Sequence, residues 1–166
     1  MTPLYWTLAL VAAQRLLELA WAASNTARLR RLGAVEADAA GYPLFVLLHA
    51  LWLASLALAV PAATRPYWPF LGLFALLQLG RVWIVLSLGR WWTTRILSLA
   101  GAPLVRAGPY RWLRHPNYLL VAAELAVLPL AFGAVAIAIL FSALNLGLVL
   151  RRIAIEERAL APRRAL

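Results

Sequence analysis

Apolar residues fall into four long runs, separated by polar stretches that carry arginine. A membrane-spanning helix needs about 20 mostly apolar residues. The first three runs each supply one, at about 3–23, 43–62 and 68–88, and Thr64-Arg65-Pro66-Tyr67 connects the last two. The first run imitates a signal peptide at Ala20-Trp21-Ala22. No positive charge precedes it, however, and Gln14, Arg15 and Glu18 interrupt it, so it reads as a retained helix. The fourth run, 118–150, is too long for one ordinary span. Pro129 and Gly133 punctuate it, which predicts helices at about 116–130 and 133–155 folded into an antiparallel hairpin. The expected fold is an all-α integral membrane protein with about five transmembrane helices and a C-terminal helical hairpin. It forms a single domain over 1–166, with a three-helix part over 1–88 and a second part over 89–166.

Charge orients this pattern. Five crossings place 24–41, 89–117 and the C-terminal segment on one side. That side holds every arginine, Arg163 and Arg164 included, except Arg65 opposite and Arg15 and Arg81 inside spans. The positive-inside rule puts it in the cytoplasm. Abundant Ala, Leu and Arg without any Lys is the usage of a GC-rich bacterial genome, so the bacterial inner membrane is the expected location.

Composition agrees with a membrane protein. Hydrophobic residues make up 64 % and charged residues 13 % of the 166, against about 45–50 % and about 25 % in soluble domains. A net charge of +10 would suggest nucleic acid in a soluble chain. Here the one-sided arginines account for it, so no nucleic-acid partner is expected and anionic headgroups are the bulk partner. With no cysteine and only His49 and His115, no metal site is expected. Trp6, Trp68, Trp91 and Trp92 fall near the predicted interfaces, where aromatic belts form.

Ionisable residues at membrane depth usually face the bundle interior. Arg15 and Glu18 are three apart on one helix, and Gln78 and Arg81 repeat the spacing on another. Each pair suits either packing or a substrate cavity. His49 reads as a hydrogen-bonded core histidine. Glu124 has no partner nearby in sequence and needs either an arginine on another helix or a ligand.

Two features carry candidate chemistry. In Gly108-Pro109-Tyr110-Arg111-Trp112-Leu113-Arg114-His115-Pro116-Asn117-Tyr118, Pro116 suits the first position of a helix and drives residue 115 extended. The free N–H groups of that helix start attract anions; Arg111 and Arg114 reinforce it, and His115 and Tyr118 offer directed hydrogen bonds. The second feature is Asn145, Arg152 and Glu156, which share an arc of ~40° on the last helix. The hairpin brings both features to the cytoplasmic side. A small zwitterion such as S-adenosylmethionine fits them, and nucleotides fit less well without a Gly-rich phosphate loop.

The segments GPYRWLRHPNY and RRIAIEERAL together resemble the signature of the isoprenylcysteine carboxyl methyltransferase family, and the N-terminal AAQRLLELAWAASNTARLRRLGAVE is similar to its small bacterial members. One departure is Leu120, where the family often has glycine. The resemblance implies an integral membrane methyltransferase that uses S-adenosylmethionine from the cytoplasm and takes a lipophilic small-molecule acceptor from the lipid bilayer. It implies cofactor contacts at Leu104, Val105, Tyr110, His115, Pro116, Asn117, Tyr118 and Glu156, and a catalytic Arg152 that holds the acceptor group. Small bacterial relatives point to a carboxylate, phenol or enol oxygen on an amphiphile. A phenol or enol would need a base, for which Glu157 and Glu124 are candidates. Two other readings remain: a membrane NADPH-dependent sterol-type reductase, and a non-catalytic membrane subunit.

The topology is directly testable. A cysteine placed at Arg106 is expected to be shielded from membrane-impermeant thiol reagents in intact cells and to react after permeabilisation. Ready labelling from outside would reverse the orientation.

Overall fold

A computed structural model describes residues 2–161. It contains five helices: α1 (Pro3–Arg31), α2 (Tyr42–Ala59), α3 (Trp68–Leu88), α4 (Pro116–Ala131) and α5 (Val135–Leu160). Three segments, Tyr42–Ala59, Trp68–Trp91 and Val135–Leu160, are long and apolar enough to cross a membrane. The 16-residue α4 is apolar but shorter, and α1 carries Gln14, Arg15 and Glu18 along its middle. Arg163 and Arg164 lie outside the described residues.

The helix ends depart from the pattern for local reasons. The first helix runs past 23 to Arg31, because 24–31 holds no helix breaker and Arg28, Arg30 and Arg31 favour the carbonyl end of the helix dipole. The chain leaves it at Gly33, with φ 89°. Pro129 does not end α4 but sits in its last turn; the reversal into α5 comes at Gly133, with φ 70°, which glycine alone adopts without strain. His115 precedes α4 at φ −130°, ψ 55°, so it is less extended than a residue before proline usually is.

The all-α expectation needs one correction. Val35–Glu36 (β1) and Leu97–Ser98 (β2) pair antiparallel, with Val35 opposite Ser98 and Glu36 opposite Leu97. Two irregular segments meet there, and their backbone groups satisfy one another. Trp92 also departs from expectation. It is buried against Ala22, Ile84 and Val85 as a core residue rather than lying in an interfacial belt.

Packing is inverted relative to a soluble domain. Leu17, Leu58, Leu79 and Ile139 are largely exposed, while Arg81, Glu124 and Asn145 are buried. That is the distribution expected of helices facing lipid. α4 lies between α3 and α5, and α2 packs on α5 and on α1. Leu4, Leu8, Trp52, Leu56, Phe74, Leu125, Leu128 and Phe141 form the main core. Where α3 meets α4, a Cβ on Gly80 would stand 3.1 Å from Leu120 Cδ1. The bulk at 120 is thus accommodated by a glycine on the facing helix.

Between that core and the arginine-rich end lies a closed ring of charge. Arg15 reaches Glu18 at 3.2 Å and Glu124 at 2.7 Å; Arg81 reaches Glu18 at 2.8 Å and Glu124 at 3.0 Å. Gln14 and Gln78 donate to Glu18 and Glu124 at 3.1 and 2.8 Å. Three helices, α1, α3 and α4, are thereby tied in one register. Glu124 has found arginines on other helices, and His49 bonds the Phe45 carbonyl through Nδ1 at 2.8 Å. Removing one partner from a buried pair strands the opposite charges, at about 3–5 kcal/mol. Glu124→Leu should lower the stability measured by SDS unfolding from mixed micelles by that amount, about 3–5 kcal/mol. A loss below about 1 kcal/mol would place the ring among weak surface pairs.

Candidate active site

Pro116 starts α4 at its first position, where the missing N–H costs no helical bond. That start delivers His115 and Tyr118 toward the last turns of α5. The two rings stack, with centroids 5.4 Å apart and planes inclined by 17°. Tyr118 donates its hydroxyl hydrogen to Glu156 Oε2 and accepts from Arg152 Nε at 2.9 Å. His115 Nε2 donates to Glu157 Oε1 at 2.8 Å, and its Nδ1 lies 3.6 Å from Glu156 Oε2. Asn145 and Arg152 are buried on the same stripe of α5.

Arg152 is the most confined charged group of this cluster, at 7 % exposed. Its Nη2 donates to the Thr94 carbonyl at 2.7 Å, and its guanidinium lies 4.9 Å from the Phe45 ring centroid. Among the described residues it forms no ion pair with a carboxylate: its hydrogen-bond partners are a phenol and a backbone carbonyl. The Glu156 and Asp38 charges act on this guanidinium without a direct ion pair, and Tyr118 bridges it to Glu156.

The expected residues are only partly assembled. His115, Tyr118, Arg152 and Glu156 share one hydrogen-bonded cluster. Tyr110 lies near it; burial first, and then the Glu156 charge, raise its pKa. Asn117 follows on the helix, and its buried Oδ1 has no hydrogen-bond partner among the described residues. Leu104 and Val105 are half-buried in the coil before α4, and none of the contacts that join the cluster involves them. Arg111 stacks on Trp112 at 5.6 Å, and Arg114 is exposed, 3.9 Å from Glu157. Sequence reasoning missed Phe45, the Thr94 carbonyl and the tie from Glu157 to His115. A lone Phe in an apolar helix and a backbone oxygen carry no sequence signal; the Glu156–Glu157 pair did, but its division of labour needed geometry.

The signature of the isoprenylcysteine carboxyl methyltransferase family matches residues 70–162. The chain belongs to that family. It is therefore a membrane protein of a methyltransferase family, and the matched region contains most of α3, all of α4 and α5, and the hydrogen-bonded cluster around Arg152, though not Phe45. It is also 36 % identical over 162 residues to the uncharacterized protein YpbQ of Bacillus subtilis strain 168, which covers 95 % of this chain and 96 % of that one. No solved structure matches.

The His115 geometry makes a pH prediction. Glu156 foremost, and also Glu157, hold the imidazolium pKa above the usual 6.5, against the opposing effect of burial. The stability this contributes is fully present below about pH 6.5 and is lost as pH rises through the raised folded value. NMR titration of His115 should give a midpoint above the ordinary value, and Glu156→Gln should bring it down. A midpoint that ignores the substitution would disconnect the two residues.

Proposed function

We propose that the protein transfers a methyl group from S-adenosylmethionine to an oxygen of a lipophilic acceptor. The observation that carries this reading is the buried Arg152, without a carboxylate partner, beside a cluster of acids and hydrogen-bonding rings. Five spans, with α1 and α4 crossing alongside the three longer helices, would set the arginine-rich end and the site on the cytoplasmic face of a bacterial inner membrane.

The residues present fit the cofactor. Glu156 supplies a carboxylate for its ammonium or ribose hydroxyls, the start of α4 supplies N–H groups for its carboxylate, and the unpartnered Asn117 Oδ1 supplies a further acceptor. Tyr110, His115, Pro116, Tyr118, Leu104 and Val105 complete the proposed contacts. When bound, the cofactor would supply a sulfonium methyl for in-line attack by an acceptor oxygen, the C–S bond breaking as the O–C bond forms and a neutral thioether leaving. Arg152 orients that oxygen and neutralises its charge while both reactants are held out of water. Its guanidinium removes no proton. A carboxylate acceptor needs no base. For a phenol or enol, Glu124 is already committed to Arg15 and Arg81, which leaves Glu157 with its His115 partner.

Titration calorimetry with S-adenosylmethionine and with NADPH tests the cofactor and separates the reductase reading; binding of neither would favour a non-catalytic subunit. Arg152→Lys keeps the charge but loses the planar fork. It should retain cofactor affinity while turnover on a lipid acceptor falls at least about tenfold, roughly 1.4 kcal/mol of barrier. Glu156→Gln should instead weaken cofactor binding by about 1.5–3 kcal/mol. Wild-type turnover in the lysine variant would reduce Arg152 to an interfacial anchor.

A further inference from the structure

The two groups that flank the Arg152–Thr94 hydrogen bond in sequence, Arg151 and Arg95, are both held by one short segment from the other half of the chain. Asp38 accepts two hydrogen bonds from Arg151, at 2.9 and 3.0 Å. Glu36 accepts from Arg95 at 2.7 Å and also from Arg30. The backbone repeats the connection: Ala37 N–H donates to the Ile96 carbonyl at 2.9 Å, beside the β1–β2 pair. Upstream, Asn25 donates to the carbonyls of Gly89 and Trp92 at 3.1 and 2.9 Å.

We infer that the 33–41 segment is a strap that positions Arg152 for the acceptor, with Glu36 and Asp38 as positioning residues. This rests on the methyltransferase reading for its kinetic consequences but not for its geometry. Arg152 reaches from α5 to a carbonyl in an irregular coil. Trp92, packed against Ala22, Ile84 and Val85, and the buried Ile96 anchor the coil on either side of Thr94, and the strap adds polar ties from this coil and from the end of α5 to one segment. The strap grips each one residue away from the bond that matters, Arg95 next to Thr94 and Arg151 next to Arg152. Both acids sit in confined places, with side chains 9 % and 5 % exposed for Glu36 and Asp38. Gly41 closes the loop, donating its N–H to Asp38 Oδ1 at 3.1 Å. A Cβ at 41 would collide with the Asp38 carboxylate and the Arg151 guanidinium, so glycine is required for this close approach. The strap lies outside residues 70–162, the part that carries the family signature.

The test uses the full-length protein in micelles with ¹⁵N-labelled arginine. The Arg152 Nε–H resonance, identified by its loss in Arg152→Lys, belongs to the bond to Tyr118 beside the Nη2–Thr94 bond and reports whether the guanidinium is held in place. In Asp38→Asn and in Glu36→Gln its hydrogen exchange should accelerate at least about tenfold. Turnover should fall at least about tenfold in both, with the cofactor dissociation constant within about twofold of wild type. Arg151→Gln should reproduce the Asp38→Asn loss, the double variant should be no worse than either single one, and Arg151→Lys should restore most of the turnover. Unchanged exchange in both acidic variants overturns the strap, as does a parallel loss of turnover, cofactor affinity and thermal stability. If wild type transfers no methyl group while exchange still accelerates in the variants, the methyltransferase reading fails and the strap stands.

Discussion

Everything at the arginine-rich end depends on the ring in which Arg15 and Arg81 each bridge Glu18 and Glu124. Dispersion alone gives apolar helices in lipid little reason to choose one register over another. Four charges that must each meet two partners allow very few. The ring sets α1 beside α3 and α4, and one to three turns further along α1 come Ala22 against Val85 and Asn25 against the turn after α3. The strap begins where that helix ends. The position of Arg152 is thus traced back to ion pairs in the interior of the bundle.

The six acidic residues divide this labour in pairs. Glu18 and Glu124 register the helices, Glu36 and Asp38 hold the strap, and Glu156 and Glu157 face His115 and Tyr118. Each pair faces arginine or histidine, from the buried Arg81 to the half-exposed Arg151. Of the two arginines buried among the described residues, Arg81 bonds carboxylates directly, whereas Arg152 gives its hydrogen bonds to a phenol and a backbone carbonyl.

The helices were legible because long apolar runs and a few breakers determine them, and Gly133 announced the hairpin turn. The alignment of Asn145, Arg152 and Glu156 was also legible, since helical periodicity alone puts them on one face. The extension of α1 was not: residues 24–31 look like a polar loop, and the contacts of Asn25 and Arg28 with the chain after α3 add to the absence of a breaker in holding them helical. The strap was hidden for a different reason. Its partners are separated by 59 residues for Glu36–Arg95 and 113 for Asp38–Arg151, and no local pattern encodes pairing over such distances. Glu124 stayed ambiguous until its arginines appeared across the bundle.

Gly80 and Leu120 are the two halves of one steric fit: a side chain on one helix occupies room left by a missing Cβ on the other. In this chain the α3–α4 seam keeps its close approach because the small residue stands on α3 and the large one on α4. Enlarging residue 80 without trimming Leu120 would therefore wedge the two helices apart at this point of the seam.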